Sequence, residues 1–245
     1  MTDPQSAAAS AAAWLSQVEE STQRLLQTVS GLAPEALAEP SALPGWTRGH
    51  VLAHLARNAD SLVNLLTGAR TGTDIPQYTS NEARDRDIDR DAPRPLDVHL
   101  ADLRASHERF AAAAALLPAE AWTVQVKHRR GYLFPASDIP RRRLLEVEYH
   151  HVDLAGGRTP AHWPEDFAVA QFRDLADGLA GEPGLPTVEL VADDTADRAV
   201  IGAGEPALTV EGPVRALTAW LSGRSAGADL RRTPDTALPQ LPPMG

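Results

Sequence analysis

Glu146 and His150 stand four residues apart in the run RRRLLEVEYHHVDL, Arg141 to Leu154. Four residues is about one turn of an α-helix, so both side chains leave the same face, with Asp153 at the edge of that stripe. Counted at ~100° per residue, the three fall within about 60° of one another. Leu145, Tyr149 and Val152 flank the stripe on one side, Val147 and Leu154 on the other. A polar stripe between apolar flanks is what a helix needs to carry metal ligands into a bundle interior. The alternative is a surface helix whose acid and histidine meet only solvent, and a Glu-x-x-x-His pair is common by chance.

A third candidate ligand comes from a second amphipathic segment, expected to be helical from about Thr47, a suitable N-cap, to Thr67. Its apolar face holds Val51, Leu52, Leu55, Leu62, Val63 and Leu66. His54 falls at the boundary of that face, about 110° from its centre, and His50 at about 150°, mostly toward solvent. Asn58 lies nearer the centre; a buried amide must find partners, so it is a candidate pocket residue. Taken alone, His54 reads as a half-buried histidine bonded to a carbonyl. Taken with Glu146 and His150, it completes a set of two imidazoles and one carboxylate, which on zinc leaves a position for water or a substrate atom. A structural site would be closed by a fourth protein ligand, for which His50 or His151 could serve. Asp153 or Arg143 could orient Glu146 or His150 from behind. Such a metal could deprotonate a thiol, or hold a hydroxide for hydrolysis. The same ligands accept other divalent ions.

The chain has no cysteine, so disulfides, thiolate ligands and a cysteine nucleophile are all excluded, and any thiol must arrive with a small molecule. With 245 residues, 43% hydrophobic and 23% charged, it reads as a soluble globular protein of one large domain or two ordinary ones. A formal charge of −10 argues against nucleic acid or an anionic membrane as partner. The N-terminal stretch lacks the basic and apolar regions of a signal peptide, and no apolar run is long enough to span a membrane. A cytoplasmic location is expected by default, and a monomer, since no exposed heptad seam or long apolar edge stands out.

The elements that must position these residues follow from periodicity and punctuation. A first helix is expected over residues 5 to 30, closed by Gly31 and Pro34. Residues 68 to 95 read as a polar, irregular segment, the kind of long connection that often serves as a lid or binding loop. Within it, Tyr78 and Arg84 are the side chains best suited to grip an acidic ligand; the bland alternative is a solvated loop with a short helix. Helices are expected from Leu96 to Leu117 and from Asp138 to Leu154, with room for an irregular hairpin over residues 119 to 137. Four amphipathic helices with polar groups facing inward form a four-helix bundle, residues 1 to 157. Beyond Gly157 a helix from Pro164 to Leu179 precedes strands at Thr187 to Ala192, Arg198 to Ile201 and Ala207 to Val210. A last helix, Val214 to Leu221, leads into an extended tail. Residues 158 to 245 thus read as a small α+β domain, making the chain α+β overall.

The segments LPGWTRGHVLAHLARNADSL and RRRLLEVEYHHVDLAGG resemble the mycothiol-dependent maleylpyruvate isomerases, within the wider DinB-like metal-binding bundles. The loop PQYTSNEARDRDI, the closing AWLSGRSAG and the LPP near the C-terminus extend the resemblance over nearly the whole chain. It implies that His54, Glu146 and His150 hold zinc. It also implies that Arg224, from the W-L-x-G-R segment, reaches the active site from the second domain. Here Arg143 stands three residues before Glu146, where many relatives have arginine directly before the glutamate. The implied reaction converts maleylpyruvate to fumarylpyruvate in gentisate-type aromatic catabolism. Zinc would activate mycothiol, whose thiolate adds to the conjugated double bond, allows rotation, and is expelled to leave the trans product. The substrate is a dicarboxylate, so Arg84 and Arg224 are expected to bind it, since guanidinium grips carboxylate bidentately. Two alternatives stay open: a mycothiol S-transferase that conjugates electrophiles, and a metal-dependent ligand-binding module without turnover. Nothing in the charge balance supports a DNA-associated role.

Overall fold

The computed structural model describes residues 3–242. The chain divides into two compact units, Met1–Gly157 and Arg158–Gly245.

In the first unit, α1 (Pro4–Ser30) starts where Asp3 accepts the Ser6 N–H and Pro4 takes a position that needs no donor. The second helix, α2 (Arg48–Thr71), begins at Thr47, whose hydroxyl accepts the His50 N–H while the His50 ring reaches back to the Thr47 N–H. It ends on Gly72 at φ 71°, a left-handed turn that glycine takes without a Cβ penalty. The helix therefore runs about one turn past the expected end at Thr67. Next come α3 (Asn81–Asp91), capped by Ser80, and α4 (Leu96–Ala115). A short hairpin of β1 (Gln125–Lys127) and β2 (Leu133–Pro135) precedes α5 (Ile139–Asp153).

Helices α1, α5, α2 and α4 pack in a closed ring, each against the next, and α3 lies on α2. Leu25, Val29, Val51, Leu52, Leu55, Leu103, Val147 and Leu154 fill the interior. Gly49 permits the approach of α3 to α2: a Cβ there would meet the Ala92 carbonyl oxygen at 2.1 Å.

One expectation needs correcting. The segment 68–95 is not irregular: most of it is α3 together with the end of α2. Only Ile88 and Asp91 of α3 are buried, so the helix shows almost no apolar periodicity. Ion pairs take its place. The buried Asp91 carboxylate is met by Arg90 at 2.9 Å and Arg94 at 2.6 Å.

In the second unit, α6 (Glu165–Leu179) and α7 (Val214–Leu221) pack on each other. The unit also holds a sheet of β3 (Val188–Ala192), β4 (Arg198–Ile201), β5 (Leu208–Gly212) and β6 (Arg231–Thr233) in the order β4-β3-β5-β6. The β3–β5 pair is parallel and the other two antiparallel. Burial alternates along β3 and β5, and Val188, Leu190 and Val210 join Phe172, Leu217 and Trp220 in one core. The tail is only partly the expected extended segment, because Arg231–Thr233 forms β6 against β5. Residues 243 to 245, including the last residue of the LPP motif, lie outside the described part of the chain.

The chain is thus α+β overall, a helical N-terminal unit followed by an α+β one. Among the described residues, no helix is long and apolar enough to cross a membrane.

Candidate metal centre

Pro140 in the first turn of α5 commits the chain to helix, and the spacing beyond it sets which side chains share a face. Glu146 and His150 accordingly come together, with Oε2 of the acid 3.3 Å from Nε2 of the histidine. From α2, His54 brings its Nε2 to 2.9 Å from Glu146 Oε2 and 3.1 Å from His150 Nε2. The two imidazoles meet edge to face, their centroids 4.7 Å apart. Trp46, just before α2, covers His54 with its ring at 5.5 Å. His54 is 5% exposed, deeper than its boundary angle on the helical wheel suggests, because Trp46 and α5 close over it.

Behind these three atoms stand groups that fix their orientation. Asp153 Oδ2 lies 2.9 Å from His150 Nδ1; a carboxylate accepts, so Nδ1 keeps a proton and Nε2 is the nitrogen left for a metal to take. On the other side, Nη2 of Arg84 lies 3.1 Å from His54 Nδ1. Arg84 sits on α3, its Nη1 bonded to Asp85 Oδ1 at 2.7 Å and its guanidinium carbon 5.9 Å from the Tyr78 ring centroid. Burial raises the Tyr78 hydroxyl pKa, against the opposing pull of Ser61 and Arg84.

The electrostatics follow from burial and these bonds. Burial lowers His54 to about 4, against the opposing pull of Glu146, so its ring is neutral at physiological pH. For Glu146 burial works upward, but the bonds to His150 and His54 outweigh it and hold the carboxyl well below its usual 4.5. For His150 burial works downward, and the bonds to Asp153 and Glu146 outweigh it and raise the pKa above 6.5. A neutral imidazole, an ionised carboxylate and a second imidazole held in the correct tautomer by Asp153 form an N₂O donor set. Among the described residues, His54, Glu146 and His150 are the group of ligand atoms close enough to hold an ion. The set suits zinc or another divalent metal and leaves coordination positions for a small ligand.

Other residues singled out in the sequence make contacts of their own. Asn58 is buried in the α2–α5 interface, where its Oδ1 accepts from Arg143 Nη1 at 2.8 Å. Arg143 is fully buried and also donates to the Leu55 carbonyl at 2.8 Å, so it ties α5 to α2. It makes no hydrogen bond to Glu146 or His150 that would orient them. Burial lowers its pKa to about 10, which leaves it charged at neutral pH. His151 faces α1, its Nε2 2.8 Å from Thr28 Oγ1, and His50 is engaged in capping α2. Neither joins the three ligands. Arg224 follows α7 in the second unit and donates to the Ser222 carbonyl at 3.1 Å. Two contributors were not singled out in the sequence, Trp46 and Ser61. The Leu43-Pro44-Gly45 turn before Trp46, which aims the indole back at α2, was the available signal for the first. Ser61 offered none.

Comparison with known proteins gives a consistent result. Residues 18–155 match the family model described as the mycothiol maleylpyruvate isomerase N-terminal domain. A crystal structure of the mycothiol-dependent maleylpyruvate isomerase superposes with a TM-score of 0.88 at 25% identity, covering 96% of this chain and 97% of that one. The structure of a histidine-to-alanine mutant of mycothiol-dependent maleylpyruvate isomerase matches with a TM-score of 0.87 at the same identity and coverage. Among curated proteins nothing matches the chain.

Proposed function

The chain belongs to the family of the mycothiol maleylpyruvate isomerase N-terminal domain, and we propose that it is a metal- and mycothiol-dependent enzyme isomerising maleylpyruvate to fumarylpyruvate. The observation that carries this reading is the convergence of His54 Nε2, Glu146 Oε2 and His150 Nε2, all within 3.3 Å of one another. Zinc is the metal proposed, held by these three residues. When bound it would supply a positive centre at which a thiol loses its proton near neutral pH.

The chain's own residues do the rest. With no cysteine it offers no thiol of its own, which agrees with a nucleophile brought by a cofactor. Asp153 keeps the proton on His150 Nδ1 and so holds Nε2 as a ligand. Arg84 places a guanidinium beside the ligand set, where it can bind a substrate carboxylate and oppose negative charge as it develops on the neighbouring carbonyl. Trp46 and Tyr78 wall the site with aromatic rings and limit the access of water. Arg224 is proposed as a second carboxylate-binding group on the strength of its W-L-x-G-R segment. The reaction would fall within gentisate-type aromatic catabolism.

The test supplies purified protein with maleylpyruvate, with and without mycothiol, and follows the trans product. Isomerisation is expected only when mycothiol is present. Conjugation of a generic electrophile without isomerisation would instead identify a mycothiol S-transferase.

A further inference from the structure

A cleft of about 470 Å³ opens in the first unit between the connection from α2 to α3 and the tip of the β1–β2 hairpin. Its size is that of a small-molecule site. Its walls are built rather than loose. Asn64 Nδ2 donates to the Gln77 carbonyl at 3.1 Å, Arg129 N–H donates to Gln77 Oε1 at 2.7 Å, and Arg129 Nη1 donates to Asn81 Oδ1 at 3.0 Å. The hairpin tip is held by His128 N–H donating to the Tyr132 carbonyl at 2.9 Å, with the two rings stacked at 4.5 Å. One wall of the cleft is Tyr78, the residue against which Arg84 packs, and Arg84 in turn contacts His54. Tyr78 and Arg84 therefore link the cleft wall to the ligand set by a chain of contacts.

The lining tells what such a cleft would take. Its charges balance: Asp74 and Glu82 line it together with Lys127 and Arg129. Lys127 is the only lysine in the chain. Two acids and two bases offer no net field to an ionic ligand, so a dicarboxylate gains nothing here that the Arg84 side does not offer better. The remaining lining groups include the hydroxyls of Thr79 and Ser80 and the amides of Gln77 and Asn81. Donors and acceptors are thus mixed in the lining, and Tyr78 adds an aromatic ring. That pattern suits a neutral molecule carrying many hydroxyls, each of which both donates and accepts.

The proposed thiol cofactor has this character. Its sulfur sits on an acetylated cysteinyl amide, and its bulk is an uncharged, hydroxyl-dense pseudodisaccharide of glucosamine and inositol. We infer that the cleft seats this sugar end, placing the sulfur toward His54, Glu146 and His150; the inference rests on the isomerase reading above.

The experiment separates the two. Calorimetric titration with the thiol-free pseudodisaccharide, N-acetylglucosaminyl-inositol, measures the cleft without turnover or metal chemistry. The wild-type protein binds it. The charge-neutral double variant Asp74→Ala/Lys127→Ala, altered at two exposed side chains, binds it about tenfold more weakly or worse, as lost charge-assisted hydrogen bonds require. Glu82→Gln and Lys127→Gln, each made singly, weaken it in the same direction. No binding to the wild type, or equal affinity in the variants, overturns the inference even if the enzyme isomerises maleylpyruvate. Binding lost in the variants, in a protein that isomerises nothing, keeps the cleft and overturns the proposed reaction.

Discussion

Nη2 of Arg84 lies 3.1 Å from Nδ1 of His54, and a guanidinium can only donate. In this arrangement His54 Nδ1 accepts and its proton sits on Nε2, the nitrogen 2.9 Å from Glu146. A metal held by His54 at Nε2 would need the proton on Nδ1 instead, where it would oppose Arg84 and leave that guanidinium available to an acidic ligand. Arg84→Ala is therefore expected to leave metal affinity unchanged or tighter, because a neighbouring cation is removed. The same substitution should lower kcat/KM by about tenfold to a hundredfold, the scale of one lost charge-assisted hydrogen bond. Chelator competition and steady-state kinetics on one preparation check both halves, and a loss of metal in this variant would sink the idea.

Asp153 should show the opposite behaviour. It is 2% exposed, and its bond to His150 Nδ1 selects the tautomer that presents Nε2. Asp153→Asn keeps the shape and removes the charge. Metal affinity is expected to fall by about tenfold to a hundredfold, the usual effect of losing a group that orients a histidine ligand. The circular dichroism spectrum should stay unchanged, and wild-type affinity in this variant would remove Asp153 from the account.

Arg143 and Asn58 form a buried pair whose worth appears when one member is removed. Asn58→Leu leaves a fully buried guanidinium with one acceptor fewer and should destabilise the fold by about 3 kcal/mol or more. Replacing both, as Arg143→Met/Asn58→Leu, should recover much of that loss, since neither a charge nor an amide is then stranded. Urea denaturation of the single and double variants measures the coupling. Strict additivity would mean the two do not act together.

His99 carries a pH dependence whose sign can be worked out. It is buried, its Nε2 lies 3.2 Å from the Ala92 carbonyl, and burial holds its pKa below 6.5 despite that bond. Between its folded pKa and 6.5 the unfolded chain binds more protons, so stability is full above this window and falls as pH drops through it. Measured with chelator present, the loss of stability from about pH 7.5 to about pH 5 should be smaller in His99→Gln than in the wild type. An equal loss in both would place the titration elsewhere.

How much of this could be read beforehand depended on whether the information was local. Glu146 and His150 are one turn apart, and their shared face follows from spacing alone. Thr47 announced the start of α2 because a cap acts within three residues. The length of α3 was hidden, since it buries only Ile88 and Asp91 and is held by ion pairs that leave no apolar period. Glu148 escaped notice for a different reason. It is fully buried, but its partners Ser21 and Arg24 lie on α1, more than 120 residues away in sequence. β6 was read as tail because its three residues acquire meaning only from the register with β5. The partner of Asn58 was likewise invisible until α5 was placed against α2.

The central claim is that the enzyme needs both a metal on His54, Glu146 and His150 and an external thiol. One preparation tests it: the rate of maleylpyruvate isomerisation with mycothiol, measured before chelation, after chelation, and during stepwise return of zinc. The account predicts that the rate is lost on chelation and returns in proportion to zinc, saturating at about one ion per chain, the capacity of a single open three-ligand site. A full rate in the metal-stripped protein would contradict it.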